Sequence, residues 1–402
     1  MNGEEQKKGD IAATNRLLAV IRGEDTSIDR EGPDQQREPP PEGSSLRSEK
    51  KTKKRRSFSL FAKRTIGLDV GSHTVKCVQL ERRGFNRVEL VEAKAAEVRT
   101  EPGGQEGKDG TSARLSAIKK VMEDMPFHRA RVVTAVGGVS TAIRQVELPK
   151  MSSKELSSSI NLWARNYIPF DMKEVQLDYQ VFGFDRPSRK IRLILVAVIK
   201  QYFQQHIDLL HQADIEPALV DINPLAVMNA LLFNDEIGGG RCTIVLDVGD
   251  RNTTLSIYSE TDQYFVRNLM VSGSDFTRDI QQRLGLPYRD AERYKQGELV
   301  FGEKEPDKLI EIIRPSLDTL IKEVRRSLTY YENQTKTTGF GQIILTGGGA
   351  EMEGFPEYLG RDLGLPVKVF DPFKQVEVRQ VGIPRAPSQF ALAFGLALRE
   401  SK

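Results

Sequence analysis

Two aspartates, Asp69 and Asp247, occupy the same place in two nearly identical segments of the chain. Residues 65–71 read TIGLDVG and residues 243–249 read TIVLDVG, so six of the seven positions agree. A carboxylate at the end of an apolar strand suits Mg²⁺, which prefers oxygen ligands and often keeps its water. The period is too long for a solenoid. It predicts two homologous α/β lobes that face each other.

The glycine at the end of each segment indicates how the turn could hold an anion. Gly71 and Gly249 let the backbone approach a ligand closely and leave amide groups pointing outward, which suits phosphate. The alternative is that each Asp-x-Gly only forms a hairpin turn, and for a single copy that interpretation is favoured. The presence of two copies favours an arrangement in which both turns bind one triphosphate from opposite sides. Nearby hydroxyls would add hydrogen-bond donors: Ser72, Thr74, Thr253 and Thr254.

A third segment has the pattern of a loop whose backbone could lie flat against an adenine or ribose ring. Residues 342–346 form an apolar stretch that predicts a strand, and residues 352–363 have helical spacing. Between them stand three consecutive glycines, which allow backbone to approach an adenine or ribose closely. Alone, such a cluster could be an ordinary loop; after two phosphate-type turns it supports a nucleotide site. The glycines are Gly347, Gly348 and Gly349.

Together these segments resemble the actin, sugar-kinase and Hsp70 superfamily. Within it the sequence is most similar to the type IV pilus assembly PilM family, which is related to the division protein FtsA. The resemblance covers about residues 57–402. It implies an α/β, actin-like two-lobed ATPase fold, made of duplicated RNase H-like domains with an inserted FtsA-type α+β subdomain. It also implies ATP and Mg²⁺ as cofactors.

The resemblance assigns nucleotide contacts residue by residue. Asp69 and Asp247 would hold Mg²⁺ through water, in the family's manner, and act in catalysis. Glu292 and Lys295, one helical turn apart, would approach ribose and adenine, although an exposed ion pair is the alternative. The full predicted set is Asp69, Gly71, Ser72, His73, Thr74, Lys76, Asp247, Gly249, Thr253, Thr254, Gly273, Ser274, Glu292, Lys295, Gly347, Gly348 and Gly349.

Three positions depart from the family pattern. His73 stands where relatives usually carry a small residue, and Ser274 follows Gly273 where many have a second glycine. Asn223 occupies a position where relatives commonly carry Glu; it could orient water but could not act as a base. We therefore expect ATP binding with weak or no ATPase activity. Of the four histidines, His73 alone is expected near the site.

The predicted organisation starts with an extension of unlike charges. Residues 1–49 carry a net charge of −4 and residues 50–64 carry +8. The basic stretch contains aromatic residues and suits an anionic membrane surface, although a solvated linker is the alternative. No nucleic acid is expected. The predicted units are a disordered extension (1–64), first lobe (65–148), inserted α+β unit (149–215), return and hinge (216–240), second lobe (241–285), helical subdomain (286–335), second lobe (336–384) and a C-terminal helix on the first lobe (385–402).

The resemblance implies a cytoplasmic scaffold, peripheral to the inner membrane, in type IV pilus assembly and twitching motility. It would dock the N-terminal cytoplasmic peptide of a PilN-like membrane protein, link other inner-membrane and motor proteins, and could self-associate. Trp163, Tyr167, Ile168 and Phe170 could line the docking groove, or could equally be core residues. The alternatives are an FtsA-like filament-forming division protein and a sugar or acid kinase of the same fold.

Overall fold

The computed structural model describes residues 63–83, 87–98, 108–123, 125, 130–185, 188–237, 240–259, 264–299, 306–335, 339–378 and 382–399. The predictions made for the N-terminal extension, including the membrane-binding role of residues 50–64, therefore fall almost wholly outside the described residues. The same holds for most of the glycine hinge before residue 241.

The first lobe is built on a six-stranded sheet. The strands are β1 (Lys63–Val70), β2 (Thr74–Arg83), β3 (Arg87–Glu97), β4 (Arg131–Val136), β8 (Leu219–Ile222) and β14 (Glu377–Val378). Their order in the sheet is β14-β3-β2-β1-β4-β8, with β1 antiparallel to β2 and parallel to β4. The lobe's helices are α1 (Lys108–Met122), α4 (Asn223–Phe233) and α9 (Ala391–Ala397).

The second lobe repeats this arrangement. The strands are β9 (Cys242–Val248), β10 (Thr253–Tyr258), β11 (Tyr264–Leu269), β12 (Phe340–Thr346) and β13 (Val367–Val369). Their order in the sheet is β11-β10-β9-β12-β13, with β9 antiparallel to β10 and parallel to β12. The helices are α5 (Gly273–Leu284), α6 (Tyr288–Lys295), α7 (Pro306–Thr335) and α8 (Phe355–Leu363). The repeated sequence segments thus form β1 and β9, at the same place in two equivalent sheets.

The inserted unit is a small sheet covered by a helix. The three strands β5 (Thr141–Pro149), β6 (Val175–Asp185) and β7 (Lys190–Ile199) form it in the order β5-β7-β6. Helix α2 (Ser153–Ala164) opens with the predicted capping box between Ser152 and Glu155. Because β5 pairs with β7, the sheet of this unit starts at residue 141, before the predicted boundary at 149.

Helix α3 (Lys200–His211) leads from the inserted unit back to the first lobe. Its last turn and the residues after it belong to the first-lobe core, where Leu210 and Ile215 are buried with Ile118 of α1. Helices α1 and α3 therefore lie on the same side of the first-lobe sheet. This packing brings polar side chains of both helices close to the end of β1.

Candidate functional site

The two Asp-x-Gly turns lie on opposite walls of one cavity between the lobes. Asp69 is the next-to-last residue of β1, and Asp247 is the next-to-last residue of β9. Both line a cavity of about 880 Å³ together with the glycines of the third segment. This volume is in the range of ordinary small-molecule pockets. The duplicated segments therefore face each other across a space that could hold a ligand.

The two aspartates have different electrostatic environments. The Asp69 carboxylate is buried and accepts a hydrogen bond of 3.1 Å from Lys76 Nζ. Asp247 is half-buried; burial, and secondly the negative charge of Asp69, raises its pKa to about 6, and Lys76 opposes the shift. A bound cation would offset the repulsion between the two carboxylates and favour the ionised form of Asp247.

The backbone of the first turn is too close-packed for a side chain. A Cβ atom added at Gly71 would lie 2.5 Å from the carbonyl oxygen of Thr74. In the second turn, the amide of Gly249 donates a 3.1 Å hydrogen bond to the Asn252 carbonyl. Helix α5 is joined to this turn, because the Gly273 amide donates a 2.8 Å hydrogen bond to the Gly249 carbonyl. The start of α5 is thus held against the second turn.

The third segment closes one end of the cavity. Gly347 has a φ of +84°, which favours glycine, and a Cβ there would lie 2.5 Å from Asp247 Oδ1. Residues 348–351 form a 3₁₀ turn, so α8 starts at residue 355 rather than at the predicted 352. The glycines therefore bring bare backbone against the second aspartate.

Glu292 and Lys295 form a buried network rather than the exposed ion pair considered as an alternative. Their charged atoms are 2.7 Å apart, and both residues are under a tenth exposed. Lys295 Nζ also donates to the Gly273 carbonyl at 3.0 Å and to Thr277 Oγ1 at 2.9 Å. Burial opposes ionisation of Glu292, but the charge and hydrogen bond of Lys295 lower its pKa below the usual range.

Asn223 is the first residue of α4 and packs against the backbone of the first lobe. A Cβ at Gly137 would lie 2.5 Å from its side-chain amide, so the amide lies flat on the chain there. Its Oδ1 atom is buried and accepts no hydrogen bond from any described residue. The same side chain lines the cavity. An unsatisfied buried acceptor at this place fits a donor supplied by a ligand or water.

The structure brings all but two of the predicted nucleotide contacts to the cavity wall. The exceptions are Thr253, whose hydroxyl donates a 2.7 Å hydrogen bond to the Val271 carbonyl, and Ser274, whose hydroxyl lies 3.1 Å from that of Ser272. Lining the cavity are Asp69, Gly71, Ser72, His73, Thr74, Lys76, Asn223, Asp247, Gly249, Thr254, Gly273, Glu292, Lys295, Gly347, Gly348 and Gly349.

The sequence interpretation missed a second histidine. His206 of α3 lines the cavity, so the expectation that His73 alone lies near the site is wrong. Its Nε2 atom is 3.0 Å from Thr134 Oγ1. Burial lowers the pKa of His206 to about 4; Asp69 opposes this shift and Arg114 adds to it. Its ring is therefore neutral near pH 7. No local motif marks it, because α3 reaches the site only through its packing on α1.

The predicted groove residues divide between core and surface. Ile168 is buried in the core of the inserted unit, and Trp163 and Phe170 pack against that core while partly buried. Tyr167 is exposed. The core interpretation is therefore correct for Ile168.

Among the helices that the structure describes, none combines the length and apolar character needed to span a bilayer.

Comparison with known proteins agrees with this architecture. A chain of a solved PilM–PilN type IV pilus biogenesis complex aligns with a TM-score of 0.70 and 26% identity, over 83% of this chain and 97% of that chain. The cell division protein FtsA of Enterococcus hirae is 23% identical over 360 residues, which are 76% of this chain and 78% of that protein.

A second FtsA relative aligns over a shorter stretch. The protein from Rhizobium meliloti (strain 1021) is 25% identical over 199 residues, which are 44% of this chain and 43% of its own. The chain thus spans less than half the length of that relative. The fold is the actin-like two-lobed ATPase fold with an inserted α+β unit. The sequence model of the type IV pilus assembly protein PilM family matches residues 67–401, and the chain belongs to that family.

Proposed function

We propose that this chain is an ATP-binding cytoplasmic scaffold of the type IV pilus assembly machinery, peripheral to the inner membrane. The observation that carries the proposal is the placement of Asp69 and Asp247 on facing turns of one cavity, with bare glycine backbone at its end. Family membership supports the place of the protein in pilus assembly. The solved complex of a relative with PilN supports a PilN-like partner.

The residues of the cavity fit a nucleotide with Mg²⁺. The two turns would hold the phosphates with backbone amides, and Gly347 and its neighbours would lie against the adenosine. Glu292 and Lys295 would contact ribose or base. Asp69 and Asp247 would hold Mg²⁺, whose remaining ligands would be phosphate oxygens and water. The bound metal would supply positive charge that neutralises the two carboxylates and the phosphates.

The same residues support weak turnover. Asn223 can accept a hydrogen bond from water through its free Oδ1 but cannot take a proton. His206 is neutral near pH 7 but, with its lowered pKa, is a weak base. Among the described residues, the side chain at position 223 therefore does not activate water strongly. ATP would therefore act mainly by binding. It would shift the equilibrium between the open and closed arrangements of the lobes only to the extent that it binds one arrangement more tightly than the other.

The scaffold would use its inserted unit to dock the N-terminal cytoplasmic tail of a PilN-like membrane protein. The exposed Tyr167 offers an aromatic contact on this unit. Residues 50–64 would add attraction to anionic lipid. Links to other inner-membrane and motor proteins and self-association belong to the same proposal.

The docking part is tested with a synthetic N-terminal peptide of a PilN-like protein from the same organism. Fluorescence anisotropy on the full chain should show saturable binding, absent with a scrambled peptide, and the affinity should change when ATP and Mg²⁺ are added. Correctly folded protein that does not bind the peptide would contradict the proposal. Because curated relatives include FtsA proteins, ATP-dependent pelleting without peptide binding would favour a filament-forming division protein instead.

A further inference from the structure

The cavity continues beyond the two turns along a wall of the first lobe. This wall comes from α1 and α3, the two helices that pack together beside the end of β1. It was not part of the predicted nucleotide site. Its polar side chains are Thr111, Arg114, Tyr202, Gln205, His206, Asp208 and Gln212.

Arg114 of α1 is an uncompensated cation in this wall. It is half-buried, and no carboxylate of a described residue lies within the 4.0 Å ion-pair distance of its guanidinium, although Asp208 and Asp250 also line the cavity. A half-buried charge without a partner is costly. A second guanidinium, that of Arg251, reaches the same cavity from the second turn in the other lobe. Burial, and then the charge of Arg251, lowers the pKa of Arg114.

The contacts of the two walls show where Arg114 lies relative to the glycine segment. Gly347, in the second lobe, lies against Asp247, because a Cβ there would be 2.5 Å from Asp247 Oδ1. In the first lobe, Thr134 Oγ1 donates a hydrogen bond to the carbonyl of Leu68, next to Asp69, and lies 3.0 Å from His206 Nε2 of α3, the helix that shares its core with α1. Arg114 of α1 therefore belongs to the first-lobe wall beside Asp69, whereas the glycines belong to the second-lobe wall beside Asp247. If adenosine lies against those glycines and the phosphates run between the two turns, the terminal phosphate lies toward Arg114.

We propose that Arg114 and Arg251, one from each lobe, together bind the terminal phosphate of ATP and so make the site distinguish ATP from ADP. The inference rests on the proposed nucleotide function and deepens it. Without a terminal phosphate the two like charges repel across the cleft. With it, both can donate charge-assisted hydrogen bonds to one anion, which draws the lobes together. ADP lacks the terminal phosphate and so cannot join the two arginines.

The test is calorimetric titration of the full chain with ATP–Mg²⁺ and with ADP–Mg²⁺. In Arg114→Gln and in Arg251→Gln we expect ATP affinity to fall about tenfold or more, as for loss of a hydrogen bond to a charged group, and ADP affinity to change less than about twofold. The matched control is Lys119→Gln, which removes one positive charge from the exposed side of α1. It should alter neither affinity. Small-angle scattering should show compaction with a non-hydrolysable ATP analogue in the unaltered chain and a smaller compaction in the variants.

Two results would overturn the inference, and they differ from failure of the proposed function. Equal loss of ATP and ADP affinity in Arg114→Gln would place the arginine elsewhere on the ligand or make it structural. No loss of either would remove it from the site. Circular dichroism melting of each variant excludes unfolding as the cause. If the unaltered chain binds neither nucleotide, the nucleotide function itself fails.

Discussion

His73 Nε2 lies 4.0 Å from Glu292 Oε1, and this contact joins the two lobes across the cleft. His73 belongs to the turn after β1 and Glu292 to α6. The pair is partly buried, and the imidazole attracts the carboxylate only when protonated. His73, which departs from the family pattern, therefore makes a cross-lobe contact at the wall of the cavity.

A double-mutant cycle with His73→Ser and Glu292→Gln should measure this contact. We expect a coupling of about 0.5–1 kcal/mol in the free energy of unfolding at low ionic strength, and a smaller coupling in about 1 M salt. The cycle subtracts the separate effect of breaking the pair between Glu292 and Lys295. Coupling that is the same at both salt concentrations would show that the contact is not electrostatic.

The raised pKa of Asp247 makes stability depend on pH. An unfolded aspartate titrates near pH 4, whereas Asp247 titrates at about 6 in the folded chain. The folded state binds the proton more tightly, so the stabilisation is complete below about pH 4 and is lost as the pH rises through about 6. We expect Asp247→Asn, without nucleotide, to be more stable than the unaltered chain by about 1–3 kcal/mol at pH 7.5, with little difference at pH 4. Urea denaturation at the two pH values checks this, and a variant less stable at pH 7.5 would contradict it.

Gly347 and Gly348 offer a matched pair of substitutions in the third segment. Gly347→Ala places a methyl group 2.5 Å from Asp247 Oδ1 at a φ of +84°. It should cost about 2 kcal/mol or more of stability and abolish detectable ATP binding. Gly348→Ala meets nothing within 4 Å and should change stability by less than about 0.5 kcal/mol. Thermal melting and nucleotide titration compare them; equal behaviour would mean that the glycine loop does not touch the ligand.

The buried network around Lys295 predicts a large cost for removing the cation. Lys295→Met would leave the Glu292 carboxylate buried without its partner, which should cost about 3–5 kcal/mol. Adding Glu292→Gln in the same chain should restore part of that loss. Lys322→Met on the exposed face of α7 is the control and should be nearly neutral. If both lysine variants melt alike, the network contributes nothing to the fold.

Local sequence was enough to predict the parts of the site that lie on one strand and its turn. The repeated TIxLDVG segment predicted β1, β9 and their facing aspartates, because an apolar run, a carboxylate and a glycine are all within seven residues. The capping box at Ser152 and Glu155 was predicted for the same reason. Thr253 follows the turn as predicted, but its hydroxyl donates to the Val271 carbonyl and does not line the cavity.

Groups that reach the site through distant packing could not be predicted. Arg114 and His206 lie on α1 and α3, which meet only because their apolar faces share one core. Neither residue stands in a motif. The start of the inserted sheet was missed similarly, since β5 has the same alternating pattern as a first-lobe strand and only its pairing with β7 assigns it to the small sheet.

The measurement that tests the central claim most directly is calorimetric titration of ATP–Mg²⁺ into the full chain and into Asp69→Asn and Asp247→Asn. We predict a single saturable site in the unaltered chain and at least a tenfold loss of Mg²⁺-dependent affinity in each variant, since both carboxylates would hold the cation. Asp178→Asn, an exposed change on β6, should bind normally. Saturable binding that neither Asp69→Asn nor Asp247→Asn weakens would show that the two facing turns do not form the nucleotide site.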